Sequence, residues 1–215
     1  VLRSSEWLPT LPLHVLIYKA FGWEQPVWVH LSVFLSPSGK GKMSKRDSVS
    51  GASSIYPLDL REQGYVPEAV LNWLALMGWS YDDRTEVFDL ADLIQRFSLD
   101  RLNPSPAAVN YSKLDHFNGI HIRSLPPGEL ARRLVTVFVR HGLAANETDL
   151  ISLVPLIRER IRTLDEAVEM AGFMFRDPVS PAPADLIGEG MTADASQAAL
   201  RRAQQVILDR ERLEV

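Results

Sequence analysis

The sequence predicts a mainly α-helical chain that opens on a short α/β portion. Three observations carry that expectation. From Pro67 onward, apolar residues recur three and four apart, the spacing of one helix face. Only residues 27–35 alternate with the period of two that a strand requires. That strand runs into a loop, Ser38, Gly39, Lys40, Gly41, Lys42, Met43, Ser44, Lys45, Arg46, which sets two glycines among four cations.

The elements follow in order. Residues 12–20 place Leu13, Leu16, Ile17 and Ala20 at helical spacing, and Gly22 can end that helix. In residues 27–35, Val27, Val29, Leu31, Val33 and Leu35 share one face; Trp28, His30, Ser32 and Phe34 take the other. Helix, strand and phosphate-type loop together suggest the closing portion of a Rossmann-like α/β nucleotide-binding domain. Pro67 suits the first turn of a helix carrying Val70, Leu71, Trp73, Leu74 and Met77, with Gly78 at its end. Asp89 can cap the next helix, where Leu90, Leu93, Ile94 and Phe97 form one stripe. Ser112 can cap a short helix through His116 that Asn118 and Gly119 stop, and Pro126, Pro127 and Gly128 mark a boundary. Beyond it lie helical patterns over 129–141, 149–162, 165–175 and 191–213, with a loop over 178–183. In the second of these, Arg158 and Arg162 share a face one turn apart, while Arg160 points elsewhere.

Composition narrows the function. The chain has 215 residues, 46% of them apolar, enough for one large or two small cores. With 23 basic and 27 acidic residues the net charge is −4, so nucleic acid would have to be met by local patches. No cysteine is present, which excludes disulfides, thiolate metal sites and a cysteine nucleophile, and fits a reducing cytoplasm. No apolar run approaches the roughly 18 residues of a membrane span. The five histidines, His14, His30, His116, His121 and His141, show no metal-ligand spacing, so no zinc is expected. The chain starts on Val1 without signal-peptide character or an initiator methionine, and is expected to be a piece excised from a longer protein.

Lys40, Lys42, Lys45 and Arg46 repel one another, so their loop calls for an anionic partner, and their density suits a polyphosphate. Gly39 and Gly41 would let such a loop close over a ligand and reopen. The order Lys42, Met43, Ser44, Lys45 resembles the ATP-binding signature of class I aminoacyl-tRNA synthetases. Other segments resemble the bacterial-type glutamyl-tRNA synthetases in particular: Val1 to Leu8, Ile17 to Trp23, Gly64 to Asn72, Leu76 to Ser80 and Val154 to Ile161, in that order along the chain. The family's first signature, His-Ile-Gly-His, is absent, and the family usually continues into a further helical subdomain.

The resemblance implies three regions. Residues 1–46 would close the catalytic nucleotide-binding domain, 47–124 would form a helical stem-contact domain, and 125–215 an incomplete helical anticodon-binding domain. It implies ATP with its accompanying magnesium, L-glutamate and tRNA as substrates, and no membrane. Lys42 and Lys45 become the catalytic candidates, with Lys42 open to a second role as support for the loop. Glu6, Leu35, Lys42, Met43, Ser44, Lys45 and Arg46 become the ATP candidates, and Arg3 the partner of the glutamate carboxylate. Trp7 either packs on adenosine or serves the core. Arg158 and Arg162 either contact tRNA or form a solvated helix face; Lys113 and Arg123 are weaker candidates for the tRNA stem. The piece alone is expected not to aminoacylate. A stand-alone tRNA-binding module is the alternative reading, and an upstream segment bearing the first signature would decide against it.

Overall fold

The computed structural model describes residues 1–43, 55–176 and 181–208. Residues 1–175 form one compact unit and 176–215 a second. In the first unit, β1 (Leu2–Ser4) leads through a 3-10 turn (Ser5–Thr10) into α1 (Leu11–Ala20). β1 pairs in parallel with β2 (Val29–Leu31), in register Leu2 to Val29. β3 (Phe34–Leu35) instead pairs in parallel with β4 (Ala107–Ala108). The single strand read over 27–35 is therefore two strands in two sheets. β1 stops at Ser4, so the ladder beside β2 ends at Leu31 and the chain takes a new partner beyond it.

α1 buries none of its residues; Leu13, Leu16 and Phe21 are each more than half exposed. The core lies further on. α2 (Pro57–Glu62), α3 (Pro67–Leu76), α5 (Tyr111–Ser124), α6 (Pro127–Arg140), α7 (Glu147–Ile157) and α8 (Glu166–Ala171) enclose it, while α4 (Leu90–Arg96) sits on a smaller cluster of Trp79, Phe88 and Leu93. Leu60, Phe117, Leu134, Phe138 and Val154 are fully shielded from water, each side chain stabilising the fold by about 1.5–3 kcal/mol. This core takes in residues from Met43 to Ala171.

The sequence pattern holds at the start of α4 and fails at the ends of α5 and α7. Asp89 caps α4 as expected, accepting from Asp92 N at 2.7 Å, yet Leu90, Ile94 and Phe97 remain exposed and only Leu93 of that stripe is buried. Asn110, not Ser112, caps α5, accepting from Lys113 N at 3.0 Å. α5 then runs straight through Asn118 and Gly119. Asn118 is buried and stitches three segments: it accepts from Val66 N at 2.8 Å and donates to Gly64 O at 3.3 Å and Arg162 O at 2.6 Å. Those bonds outweigh its weak helix preference. α7 ends at Ile157, so Arg158, Arg160 and Arg162 lie beyond it, not on a shared helix face.

In the second unit, α9 (Ala193–Leu208) follows a 3-10 turn (Pro183–Leu186). Thr192 Oγ1 accepts from Ala195 N at 3.3 Å, and Ser196, the buried residue of α9, accepts from Gly188 N at 3.1 Å. Among the described residues no helix is long and apolar enough to cross a membrane.

Candidate nucleotide-binding site

Residues 34–43 fold as a hairpin. Pro37 enters a turn closed by Gly39 N on Ser36 O at 2.8 Å, and Ser36 N donates to Gly41 O at 3.0 Å. Gly39 and Gly41 both take left-handed backbone angles, φ 72° and 77°, which most side chains resist. The Ser36 hydroxyl braces the loop from inside, donating to Lys40 O at 2.7 Å. Met43 N donates to Phe34 O at 2.9 Å, and the Met43 side chain is buried in the main core. Successive side chains on a strand face opposite ways, so anchoring Met43 turns Lys42 outward.

Lys42 then meets Glu6. Its Nζ lies 2.8 and 2.7 Å from the two carboxylate oxygens, joining the 3-10 turn after β1 to the hairpin. The hydrogen bond and charge of Lys42 hold the Glu6 carboxyl below the usual carboxylate range. On β1, the Arg3 guanidinium lies 4.8 Å from the centre of the half-exposed Trp7 ring. The 3-10 turn thus carries both Glu6, which meets Lys42, and Trp7, which meets Arg3. Leu35 is half-buried on β3, and its carbonyl already accepts from Val109 N at 3.1 Å. Ser44, Lys45 and Arg46 lie outside the described residues.

The candidate tRNA cations sit elsewhere. Arg158 is half-buried and donates to Arg123 O, an internal tie; Arg162 is exposed, with its Nε 3.7 Å from Glu166. Arg123 approaches Glu159 at 4.0 Å, and Lys113 pairs with Glu86 at 2.6 Å. Arg160 is exposed and makes no ion pair among the described residues. No group of three or more His, Asp or Glu among those residues could hold a metal ion.

Sequence reasoning found the loop and missed its partner. Glu6 and Lys42 lie 36 residues apart, and nothing in either segment announces the pairing. It also missed the joint where Arg133 on α6 reaches Glu68 on α3 at 2.9 and 2.7 Å while its Nε meets Glu129 at 2.6 Å. Opposite charges are too common for distance in sequence to single these out.

Residues 1–116 match the catalytic-domain model of the class I tRNA synthetases (E and Q). The chain belongs to that family. Residues 129–214 match an anticodon-binding domain model. The glutamate–tRNA ligase of Herpetosiphon aurantiacus is 45% identical over 193 residues, 87% of this chain and 38% of that protein. That of Chloroflexus aurantiacus is 44% identical over 216 residues, 96% and 42% of the two chains. Among solved structures, a glutamate tRNA ligase from Elizabethkingia meningosepticum, in complex with its amino acid, superposes with a TM-score of 0.81 at 27% identity, over 98% of this chain and 44% of that one. The chain spans about two fifths of the length of the curated relatives it matches. The mainly helical body behind a short α/β opening is therefore that of a synthetase of this family.

Proposed function

We propose that the chain supplies the nucleotide-gripping hairpin and the helical tRNA-contacting regions of a glutamate–tRNA ligase. The observation that carries this reading is the Lys42 ammonium, presented by a braced hairpin against Glu6 in a chain of this family. In such an enzyme a carboxylate oxygen of glutamate attacks the α-phosphorus of ATP. The bond to the bridging oxygen breaks, and pyrophosphate leaves with its electron pair. A ribose hydroxyl at the tRNA end then attacks the activated carbonyl, and AMP departs.

The first step spreads negative charge over phosphate oxygens, so positioned cations lower its barrier more than they stabilise the bound substrate. Lys42 and Lys45 take that role, and losing either should slow adenylate formation about 10²–10³-fold, as for single oxyanion donors. Met43, Ser44 and Arg46 complete the loop's contacts with ATP, Glu6 meets the ribose, and Leu35 borders the adenine. Arg3, a planar fork suited to two carboxylate oxygens, receives the glutamate side chain. Magnesium arrives with ATP; zinc has no role in these residues. Residues 1–46 act as the end of the catalytic domain, 47–124 as the stem contact and 125–215 as the anticodon reader. Exposure favours Arg162 over Arg158 as a contact to tRNA. The lack of cysteine and the use of ATP and tRNA fit a cytoplasmic setting.

The test is ATP–pyrophosphate exchange in the presence of tRNA, run on the full-length parent and on the 215-residue chain. Glutamate-dependent exchange is expected from the parent, with none supported by glutamine. The chain alone should not rise above background. A glutamine preference, or turnover by the chain alone, would contradict the assignment.

A further inference from the structure

Glu6 and Lys42 are each assigned above to the nucleotide, and they hold one another. Both carboxylate oxygens lie within 2.8 Å of the Lys42 ammonium, so the lysine's charge is already answered when a phosphate arrives. Neither backbone readily withdraws. Glu6 stands in a 3-10 turn fixed by β1, and Ser4 Oγ donates to its Oε2 at 3.3 Å. Lys42 is bridged to Leu35 across the hairpin and followed by the buried Met43. Only the side chains can part. Both are about half exposed, at 56% and 50%, so water can re-solvate whichever is released and the exchange buries no bare charge.

We propose that Glu6 is the resting counter-ion of Lys42: a positioning residue that holds the ammonium beside the nucleotide site and that an incoming polyphosphate must displace. The inference rests on the reading of the loop as a polyphosphate grip and adds what holds that grip in reserve. An anion carrying several charges on neighbouring oxygens outcompetes a single carboxylate for the ammonium, which then follows the phosphates. The carboxylate is left facing solvent, free to accept a hydroxyl donor from a sugar.

Inorganic tripolyphosphate separates the two roles of Glu6, because it has no ribose to contact. Its dissociation constant is measured by calorimetry on the 215-residue chain for wild type, E6Q, K42Q and E6Q/K42Q. E6Q is expected to tighten binding about two- to fivefold, the scale of an exposed ion pair. In the K42Q background the same change should have no effect, since Glu6 acts through the lysine. Equal tightening in both backgrounds would mean that any nearby negative charge opposes the anion, and would overturn the pairing. Unchanged affinity in E6Q, with K42Q weakened, would overturn the pairing and leave the grip standing. If tripolyphosphate binds neither wild type nor E6Q, the grip itself fails and the inference falls with it.

Discussion

Gly64 shows how much one residue can fix. It takes φ 81°, and a Cβ there would lie 2.7 Å from the backbone nitrogens of both Leu164 and Asp165. Left-handed strain and an unyielding neighbour act together, because Leu164 N also donates to Gly64 O at 2.9 Å. Gly64→Ala is expected to destabilise the chain by about 2–4 kcal/mol. Urea unfolding measures this, and a loss below about 1 kcal/mol would contradict the packing described. His121 makes a second case. Asn72 donates to Glu86 O and accepts from Phe88 N, which fixes its amide and leaves Oδ1, 3.1 Å away, as acceptor for His121 Nε2. Burial pushes the His121 pKa below 6.5, against the opposing pull of Glu68 and Asp89. The unfolded chain therefore takes up a proton more readily. Stability from this group is held above about pH 6.5 and is lost as the pH falls from there through the lowered folded value. His121→Gln should flatten the decline in unfolding free energy between about pH 7 and pH 5; an unchanged slope would show that His121 is not its source.

At the scale of elements, the joint between α3 and α6 depends on Arg133. Its guanidinium serves Glu68 and Glu129 together, and that hydrogen bonding holds the Glu68 carboxyl below its ordinary range. Arg133→Met keeps the apolar stem and strands the Glu68 carboxylate, while Glu129 keeps Arg132. Discounted for partial exposure, the cost should be about 1–2 kcal/mol. Combined with Glu68→Gln in a double-mutant cycle, the two effects should fall short of additive; strict additivity would mean that the pair does not couple the helices. The sequence made the helices that rest on local signals easy to read. Pro67 opens α3 and Asp89 caps α4, while Pro127, read as part of a boundary, opens α6. It misled where a distant partner decides. Asn118 looks like a stop signal until Val66, Gly64 and Arg162 are beside it. The alternation over 27–35 reads as one strand, and only the short reach of β1 reveals that two sheets divide it. At the site, the glycines and lysines of the hairpin were legible because their chemistry is local, whereas Glu6 as the partner of Lys42 was not.

Within the first unit, the main apolar core runs from Met43 to Ala171, joining the part that matches a synthetase catalytic domain to the part that matches an anticodon-binding domain. Strain at one end can therefore reach the other through packed side chains rather than a flexible linker. The acidic surplus of the chain, net −4, leaves the hairpin cations as a local exception, which is what a site for a highly charged anion requires. The most direct test neutralises both signature lysines, Lys42→Gln with Lys45→Gln, in the full-length parent and follows glutamate-dependent ATP–pyrophosphate exchange. The exchange rate is expected to fall at least about 10²-fold while tRNA still binds. A double variant that forms adenylate at the parent's rate would contradict the assignment of this loop to the triphosphate.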